Sequence, residues 1–311
     1  MEFFKIKRDI PFMRYGRITT TISLVTFILA ILALGFKGLN LGLDFTGGIQ
    51  IEVGYNQPAN LETVRKILED QKLPEFSVQN FGSVKDVLIH LPMRPETNDA
   101  KLSEVVLEKL REQDASVVLR SVEFVGPQVG QELFESGGLA LLLVVAGILV
   151  YLAIRFEWRF ALAAIIANMH DIVIILGMFA FFQWEFTLPV LAGILAILGY
   201  SVNESVVVFD RIRENFHKMR KASVPEMIDN AITTTMSRTV ITHFMTQLMV
   251  LSMFFFGGEV LHNFALALTI GIVFGIYSSV LVASPIVLWL GVSRKDLMSV
   301  KEESTEIDKL P

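Results

Sequence analysis

Residues 199–213 read GYSVNESVVVFDRIR, and they end an apolar run that begins at Phe186. Such a run predicts a helix that crosses a bilayer, because about 20 residues at about 1.5 Å each span the ~30 Å hydrocarbon layer. Asn203 and Glu204 stand side by side inside this helix. A charged side chain at the centre of a membrane helix costs roughly 2.5–3.5 kcal/mol on insertion scales, so Glu204 needs a function or a partner.

The composition of the whole chain is typical of a membrane protein. The 311 residues are 52% hydrophobic and include 24 Phe and no Cys, so no disulfide can hold a soluble part together. The sequence therefore predicts a polytopic α-helical membrane protein with six transmembrane helices. The predicted transmembrane segments are residues 18–36, 137–154, 160–182, 186–209, 239–256 and 264–290.

Lysine and arginine are concentrated on one side of these segments. They occur in the N-terminal tail (1–17), in the loop 210–238 and in the C-terminal tail (291–311), whereas the two short turns on the other side hold none. An excess of positive charge marks the cytoplasmic side of a membrane protein. Both termini are therefore predicted to be cytoplasmic, and residues 37–133 are predicted to lie outside.

Residues 37–133 have the composition of a soluble domain inserted between the first two helices. Their alternating and amphipathic stretches follow the order β-α-β-β-α-β, which predicts an α+β ferredoxin-like domain. Asn60 is expected to cap the first helix, and Gly82-Ser83 is expected to form a hairpin turn. His90 stands on a strand with no nucleophile–base spacing around it. The domain is therefore predicted to be a binding surface, and the chain is predicted not to be an enzyme.

Both junctions between this domain and the membrane helices are rich in glycine. The entry reads GLNLGLDFTGG (38–48) and the exit reads FVGPQVGQEL (124–133). Glycine adopts backbone angles that other residues avoid and proline stiffens a turn, so the junctions can be hinges on which the domain swings. Two tight turns also explain the composition, and on physical grounds alone they are favoured. The residues singled out at the junctions are Asp44, Gly47, Gly48, Gly126 and Pro127.

Three of the predicted membrane helices carry polar side chains. Interhelical hydrogen bonds, each worth about 1 kcal/mol or less, are sufficient to explain Asn168, Asn203 and Gln247. They do not offset the cost of burying Glu204 and Asp171. These two carboxylates therefore predict an ion or proton pathway, with pairing inside the bundle as the alternative. The residues assigned to this pathway are Glu204, Asn203, Asp171, His170 and Arg238.

The fifth segment adds further candidates close to Glu204. Thr239, His243 and Gln247 recur at intervals of four and form one stripe of a helix. At about 1.5 Å per residue, His243 lies at the level of Glu204, and Arg238 lies just below. His243 and Gln247 can belong to the pathway, although a lone helical histidine can equally be a hydrogen-bonded filler. No metal site and no cofactor are predicted.

Two local patterns make structural predictions. Gly271 and Gly275 form a GxxxG that allows close packing of helices within the chain or against a partner. Ser223 and Glu226 form a capping box that predicts the start of a short amphipathic helix in the loop 210–238.

Several of these stretches together resemble one known family. GLDFTGG, FVGPQVGQEL, RFEWR, the HD pair His170-Asp171, GYSVNESVVVFDRIREN and SRTVIT resemble SecF in the same order along almost the whole chain. SecF proteins are the smaller membrane components of the bacterial SecD–SecF protein-export complex, related to the resistance-nodulation-division transporters. In this family the carboxylate of the fourth segment corresponds to Glu204 and the arginine of the fifth to Arg238.

The resemblance implies a function that spacing does not show. SecF and SecD form a pseudo-symmetric twelve-helix unit in the inner membrane, associate with the SecYEG channel and YajC, and use a proton or sodium gradient to complete export of an unfolded polypeptide. The external domain, periplasmic in this family, holds the emerging chain; membrane lipids are further partners, and no nucleic acid is expected. The family usually has Asp at the position of Glu204, which leaves the choice of ion open. Two alternatives remain: an ion-independent scaffold of the channel, and a small-molecule or lipid exporter of the same superfamily.

Overall fold

The computed structural model describes residues 6, 8–71, 76–92 and 99–293. Most of the predicted C-terminal tail (291–311) and the first residues of the N-terminal tail therefore lie outside the described residues. A 3₁₀ turn at Phe12–Tyr15 precedes the first helix, and a π-helical turn at Ser279–Ala283 follows the ninth. The elements are α1 Gly16–Lys37, β1 Asn40–Leu41, α2 Leu43–Thr46, β2 Gly48–Gly54, α3 Leu61–Asp70, β3 Ser77–Phe81, β4 Ser83–Leu91, α4 Asp99–Gln113, β5 Val118–Val125, α5 Pro127–Arg155, α6 Trp158–Phe182, β6 Glu185–Phe186, α7 Leu188–Lys218, α8 Val224–Phe256, α9 Gly258–Ser278 and α10 Ser284–Trp289.

Six helical stretches of the described residues are long and apolar enough to cross a membrane, which confirms the predicted fold class. They are α1, α5, α6, α7, α8 and the stretch Val260–Trp289, which joins α9 to α10 through the π turn. α6, α7 and α9 lie inside the bundle, whereas α1, α5 and α8 expose most of their apolar side chains. The chain is an integral membrane protein.

The helices extend well beyond the predicted membrane segments, and the predicted loop 210–238 is mostly helical. α7 continues to Lys218 and α8 begins at Val224, so only five residues separate them. The capping box is present, since Glu226 accepts a 2.7 Å hydrogen bond from the backbone N–H of Ser223. It begins α8 itself and not the short separate helix that was predicted. Hydropathy identifies only the part of a helix that lies in hydrocarbon. Neither the polar end of α7 (210–218) nor the polar part of α8 after Pro225 contains a glycine or proline that would end the helix at the membrane surface.

The second predicted segment, 137–154, lies inside a longer helix, because α5 already starts at Pro127. The exit junction 124–133 is therefore the end of a strand followed directly by the first turns of a helix. Proline at the first helical position suits this start, since its missing N–H would have no partner in the helix.

The external domain has the predicted β-α-β-β-α-β order. Its four strands form one antiparallel sheet in the order β3-β4-β2-β5. α3 and α4 cover one face, where Ile51, Leu68 and Leu110 belong to a single buried apolar cluster. Asn60 caps α3 as predicted, because its side-chain oxygen accepts hydrogen bonds from the backbone of Glu62 and Thr63. The opposite face of the sheet is not covered by α3 or α4, and it carries polar side chains that include Gln50, Glu52 and Glu123.

Close contacts between helices depend on small residues. A Cβ at Gly271 would lie 2.5 Å from Cγ1 of Ile197 in α7, and one at Gly275 would lie 3.7 Å from the side chain of Ser201. The GxxxG of α9 is therefore used inside the chain. Gly177 of α6 is tighter still, since the nearest atom to its Cβ position is Cβ of Ala30 in α1, and the backbone Cα of Ala30 is 2.6 Å away.

Adding one methyl group at the crossing of α1 and α6 is expected to destabilise the bundle. In Gly177→Ala the new methyl group meets the backbone of Ala30, and such overpacking costs about 1–3 kcal/mol. Gly147→Ala is the matched control, because no atom lies within 4 Å of its Cβ position. Thermal unfolding of the purified variants in detergent should show a lower midpoint for Gly177→Ala alone. Equal midpoints would contradict the close approach of α1 and α6.

Candidate functional site

Asp171 of α6 is fully buried at the centre of the bundle. The hydroxyl groups of Ser201 in α7 and Ser278 in α9 each donate to its Oδ2 over 2.7 Å. Its other carboxylate oxygen lies 3.3 Å from Nδ1 of His170. Two hydroxyl donors and a neighbouring imidazole offset much of the cost of burial, so Asp171 joins three helices through a well-satisfied polar contact.

His170 is also buried, and it lies beside the rings of Phe27 and Tyr277 at centroid distances of 6.2 and 6.4 Å. Its Nε2 has no hydrogen-bond partner among the described residues. The HD pair therefore has one polar atom that is free to accept or donate.

Glu204 lies in a different environment on the next face of α7. It is buried, and Oγ1 of Thr239 in α8 donates to its Oε1 over 2.5 Å. It also lines a cleft of about 370 Å³ between α7 and α8, together with Asn203, Arg238 and Thr242. Thr239 is the only described residue that hydrogen-bonds to this carboxylate. Glu204 is therefore less well compensated than Asp171 and is accessible through the cleft.

Asn203 and Arg238 line the cleft of Glu204, but among the described residues neither forms a hydrogen bond or an ion pair with its carboxylate. Both are exposed at the outer side of the cleft, and Arg238 forms no ion pair with a described residue. Asn203 directly precedes the buried Glu204, and Arg238 directly precedes the buried Thr239. Because successive helical residues are rotated by about 100°, the preceding side chain is directed away from the contact between α7 and α8. Of the predicted group, Glu204 and Arg238 therefore share one cleft, whereas Asp171 lies apart in its own contact with Ser201 and Ser278.

The predicted stripe of α8 does face the bundle. His243 lies one turn beyond Thr239, donates from Nδ1 to its carbonyl over 2.8 Å, and packs edge-on against the ring of Tyr200. Gln247 donates to Thr269 of α9 over 3.0 Å. His243 Nε2 and Gln247 Oε1 are buried with no partner among the described residues. Buried polar atoms in this state are commonly bonded to water, so the stripe can continue a polar path from Glu204.

The sequence analysis missed the serine partners of Asp171. Ser201 stands three residues before Glu204, and Ser278 stands three residues after Gly275. The helical spacing of three to four residues could have placed both on buried faces already marked by these neighbours. Among the described residues, no group of three or more His, Asp or Glu is arranged to hold a metal ion.

At the entry junction, Asp44 binds the beginning of α7. Its Oδ2 accepts a 2.8 Å hydrogen bond from the backbone N–H of Leu188. A carboxylate at this position satisfies a free N–H group and interacts favourably with the helix dipole. The adjoining strand β1 pairs in parallel with β6, the strand just before α7. The junction is therefore attached to the helix that carries Glu204.

Two of the junction glycines are required by close contacts. Gly47 and Gly48 have φ values of 65° and 126°, and a Cβ on them would lie 2.9 Å from Cα of Pro127 and 2.5 Å from the carbonyl oxygen of Leu91. Gly126 has an ordinary φ of −61°, and the nearest atom to its Cβ position is 3.9 Å away. This packing is that of tight turns; the hinge function of the five junction residues stays a prediction.

Comparison with known proteins agrees with these features. The family model "Protein export membrane protein SecD/SecF, C-terminal" matches residues 105–293, and the "SecD/SecF GG Motif" model matches residues 32–59. The protein translocase subunit SecF of Vibrio alginolyticus is 44% identical over 100% of this chain and 99% of its own length. The chain belongs to the SecF family. The SecF of Pseudomonas aeruginosa is 43% identical over 92% of this chain and 94% of its own length.

Solved structures of SecDF proteins share the fold. The crystal structure of SecDF from Thermus thermophilus, described as a translocon-associated membrane protein, has a TM-score of 0.84 and 35% identity over 92% of this chain. A SecDF structure in a super-membrane-facing form has a TM-score of 0.69 and 34% identity over 97% of this chain. The chain spans 39% and 41% of those SecDF chains, although it spans almost all of its SecF relatives.

The two junction glycines Gly47 and Gly126 are expected to respond differently to the same substitution. Gly47→Ala combines a positive φ with a contact to Pro127, which should lower stability by roughly 1–3 kcal/mol. Gly126→Ala should change it by no more than about 0.5 kcal/mol. Thermal unfolding of both purified variants measures this difference. An equally stable Gly47→Ala variant would show that the contact with α5 is loose.

Proposed function

We propose that the chain is the SecF subunit of the Sec protein translocase in the bacterial inner membrane. With SecD, it uses a proton or sodium motive force to promote completion of protein export. The observation that carries the proposal is the state of Glu204, a buried carboxylate with one hydroxyl partner at an open cleft. The SecF relatives, which share almost the full length of the chain, support the role in export.

The environment of Glu204 suits reversible binding of a cation. Its Oε1 accepts from Thr239, and Arg238, which lines the same cleft, makes no ion pair with it. A lone carboxylate in a membrane is costly when it is ionised and uncompensated. Binding a proton or a sodium ion removes most of that cost, and release restores it. Each binding event therefore changes the free energy of the conformation around α7 and α8.

A second membrane subunit fits the outer side of the same cleft. Asn203 and Arg238 are exposed there, and the neighbouring surface of α8 displays Phe244, Met245 and Met249. The SecDF chains of known structure are more than twice as long as this one, in agreement with a SecD partner. SecYEG, YajC, membrane lipids and the exported polypeptide are the further partners proposed, from the family resemblance. No enzymatic reaction is part of the proposal.

The distribution of charge supports the orientation of the chain. The ion pairs of Arg155 with Asp210 and of Arg211 with Glu214 lie at the end of the bundle that faces away from the external domain. Because positive charge marks the cytoplasm, we place both termini inside and the α+β domain in the periplasm.

The energy available from an ion sets a further requirement. One charge crossing 100 mV yields ~2.3 kcal/mol, whereas reversing a two-state population from 1:99 to 99:1 requires ~5.5 kcal/mol. The proposal therefore includes more than one ion per cycle or a larger gradient. A measured stoichiometry of one ion at a modest gradient would contradict this part.

Replacing Glu204 by Gln is expected to remove the effect of the gradient while leaving export by ATP in place. Each variant is co-expressed with SecD, checked for equal assembly, and used as inverted membrane vesicles. Completion of one exported protein is scored after ATP is removed, with and without an imposed gradient. Glu204→Gln should reduce completion to the level without a gradient, because its side chain cannot be ionised. Proton and sodium gradients applied separately would identify the ion.

Two variants serve as controls for this experiment. Glu204→Asp keeps the carboxylate that the family usually has at this position and should retain gradient-dependent completion. Glu214→Gln changes an exposed glutamate of the same helix, whose ion pairs with Arg211 and Lys218 are worth little, and should behave as wild type. If Glu204→Gln also behaves as wild type, the ion site is elsewhere or absent, and the ion-independent scaffold becomes the better account.

A further inference from the structure

A large cleft separates the external domain from the ends of the membrane helices beneath it. Its volume is about 930 Å³, within the range of ~300–1,000 Å³ that is usual for ligand sites. The face of the sheet not covered by α3 or α4 forms one wall, where Gln50 and Glu52 of β2 lie opposite Glu123 and Ser121 of β5. The turn that contains Glu185, together with the ends of α8 and α9, forms the other wall.

The charge of this cleft is one-sided. Asp44, Glu52, Glu123 and Glu185 line it, and none of the described lining residues is Lys or Arg. Burial raises the pKa of Glu185, and the carboxylates of Asp44 and Glu123 raise it further, against a hydrogen bond from Gln79. Asp44, Glu52 and Glu185 each accept a hydrogen bond, but no cationic Lys or Arg among the described lining residues offsets the repulsion of Glu185 by Asp44 and Glu123, and a cationic ligand would relieve it.

The arrangement of the carboxylates does not suit a single metal ion. They stand on four separate elements, and no group of three or more metal-ligating side chains converges among the described residues. Aromatic rings line the same cleft, including Phe81, Trp184 and Phe255, and amide side chains such as Gln50 can bond to a peptide backbone. Spaced carboxylates and apolar rings suit a ligand in which positive and apolar groups also alternate along its length.

We propose that this cleft binds a segment of unfolded polypeptide in an extended conformation, with lysine or arginine side chains spaced among apolar ones. The segment lies between the open face of the sheet and the helix ends, and its basic groups face the carboxylates. This inference rests on the proposed function in protein export for the source of the polypeptide. Binding itself needs no ion gradient.

The absence of cysteine in the natural chain allows a direct test. Gln50→Cys places a thiol at the centre of the open face, and Lys66→Cys places one on the exposed surface of α3, on the helix-covered side of the sheet. The full chain is purified with cysteine-free SecD in nanodiscs. The probe is an unstructured 20-residue peptide with one cysteine activated as a mixed disulfide. The protein thiolate attacks that disulfide, forms the new disulfide with the peptide, and releases the activating thiolate.

Three peptides carry Lys, Ser or Glu at the same positions between leucines. Rates are normalised to those with a small neutral disulfide, so that intrinsic thiol reactivity cancels. The Lys peptide should label Gln50→Cys several-fold faster than Lys66→Cys, and the Glu peptide should show no such preference. The double variant Glu52→Gln, Glu123→Gln should slow labelling of Gln50→Cys by the Lys peptide about two- to thirtyfold. It removes two ion pairs with the peptide, and an exposed ion pair contributes ~0.2–1 kcal/mol. The small disulfide should react at an unchanged rate.

Equal labelling of Gln50→Cys and Lys66→Cys by the Lys peptide would overturn the site. Equal labelling of Gln50→Cys by all three peptides would overturn the preference for cationic segments. Neither result depends on the gradient assay with Glu204→Gln. If labelling is selective but the gradient has no effect on export, the ion-driven function fails and the polypeptide site remains.

Discussion

A carboxylate inside a bilayer has to be compensated, and this requirement organises the membrane half of the molecule around α7. Ser201 and Glu204 are one turn apart on this helix, and each contributes to the burial of one carboxylate. The first contact joins α7 to α6 and α9, and the second joins it to α8. The two carboxylates share no hydrogen bond, so they are connected through α7 and not by direct pairing. The close packing of α9 against α7 at Gly271 holds these two helices in this arrangement.

The same helix is held at its external end by the domain. Asp44 bonds to the first N–H of α7, and the pairing of β1 with β6 adds a second connection. These attachments require the chain to turn sharply at Gly47 and Gly48 before it enters the sheet. Glycine is therefore required at both positions, because the backbone passes close to Pro127 and Leu91.

Apolar length was sufficient to predict the six membrane helices, because the hydrocarbon thickness fixes how many apolar residues a crossing needs. Alternation with period two and helical periodicity were sufficient for the order of elements in the external domain. The loop 210–238 was predicted wrongly, since the polar extensions of α7 and α8 are as helical as their membrane parts but carry no hydropathy signal. The depth estimate brought Glu204 and the stripe of α8 to one level, and the contact with Thr239 agrees with it.

Depth does not give rotation about the helix axis, and this explains why Arg238 lines the cleft without pairing with Glu204. A helix position one residue from a buried one is turned by about 100°, so an arginine next to Thr239 points outward even at the right level. The serine partners of Asp171 were missed for a related reason. Many serines and threonines occur in these helices, and only the packing of three helices selects Ser201 and Ser278.

The position of Asp44 relates the external cleft to the membrane site. Asp44 lines the cleft and also caps α7, whose next polar positions inside the bundle include Glu204. α7 is one unbroken helix from Leu188 to Lys218, so a shift of this helix along its axis moves both sites together. In the proposed cycle, cation binding at Glu204 changes the free energy of such a shift. The width of the cleft then follows the state of the membrane site, because its lower wall is built on the turn that starts α7. A polypeptide held by carboxylates on both walls would be gripped in one state and released in the other, which is the minimum that directional movement requires.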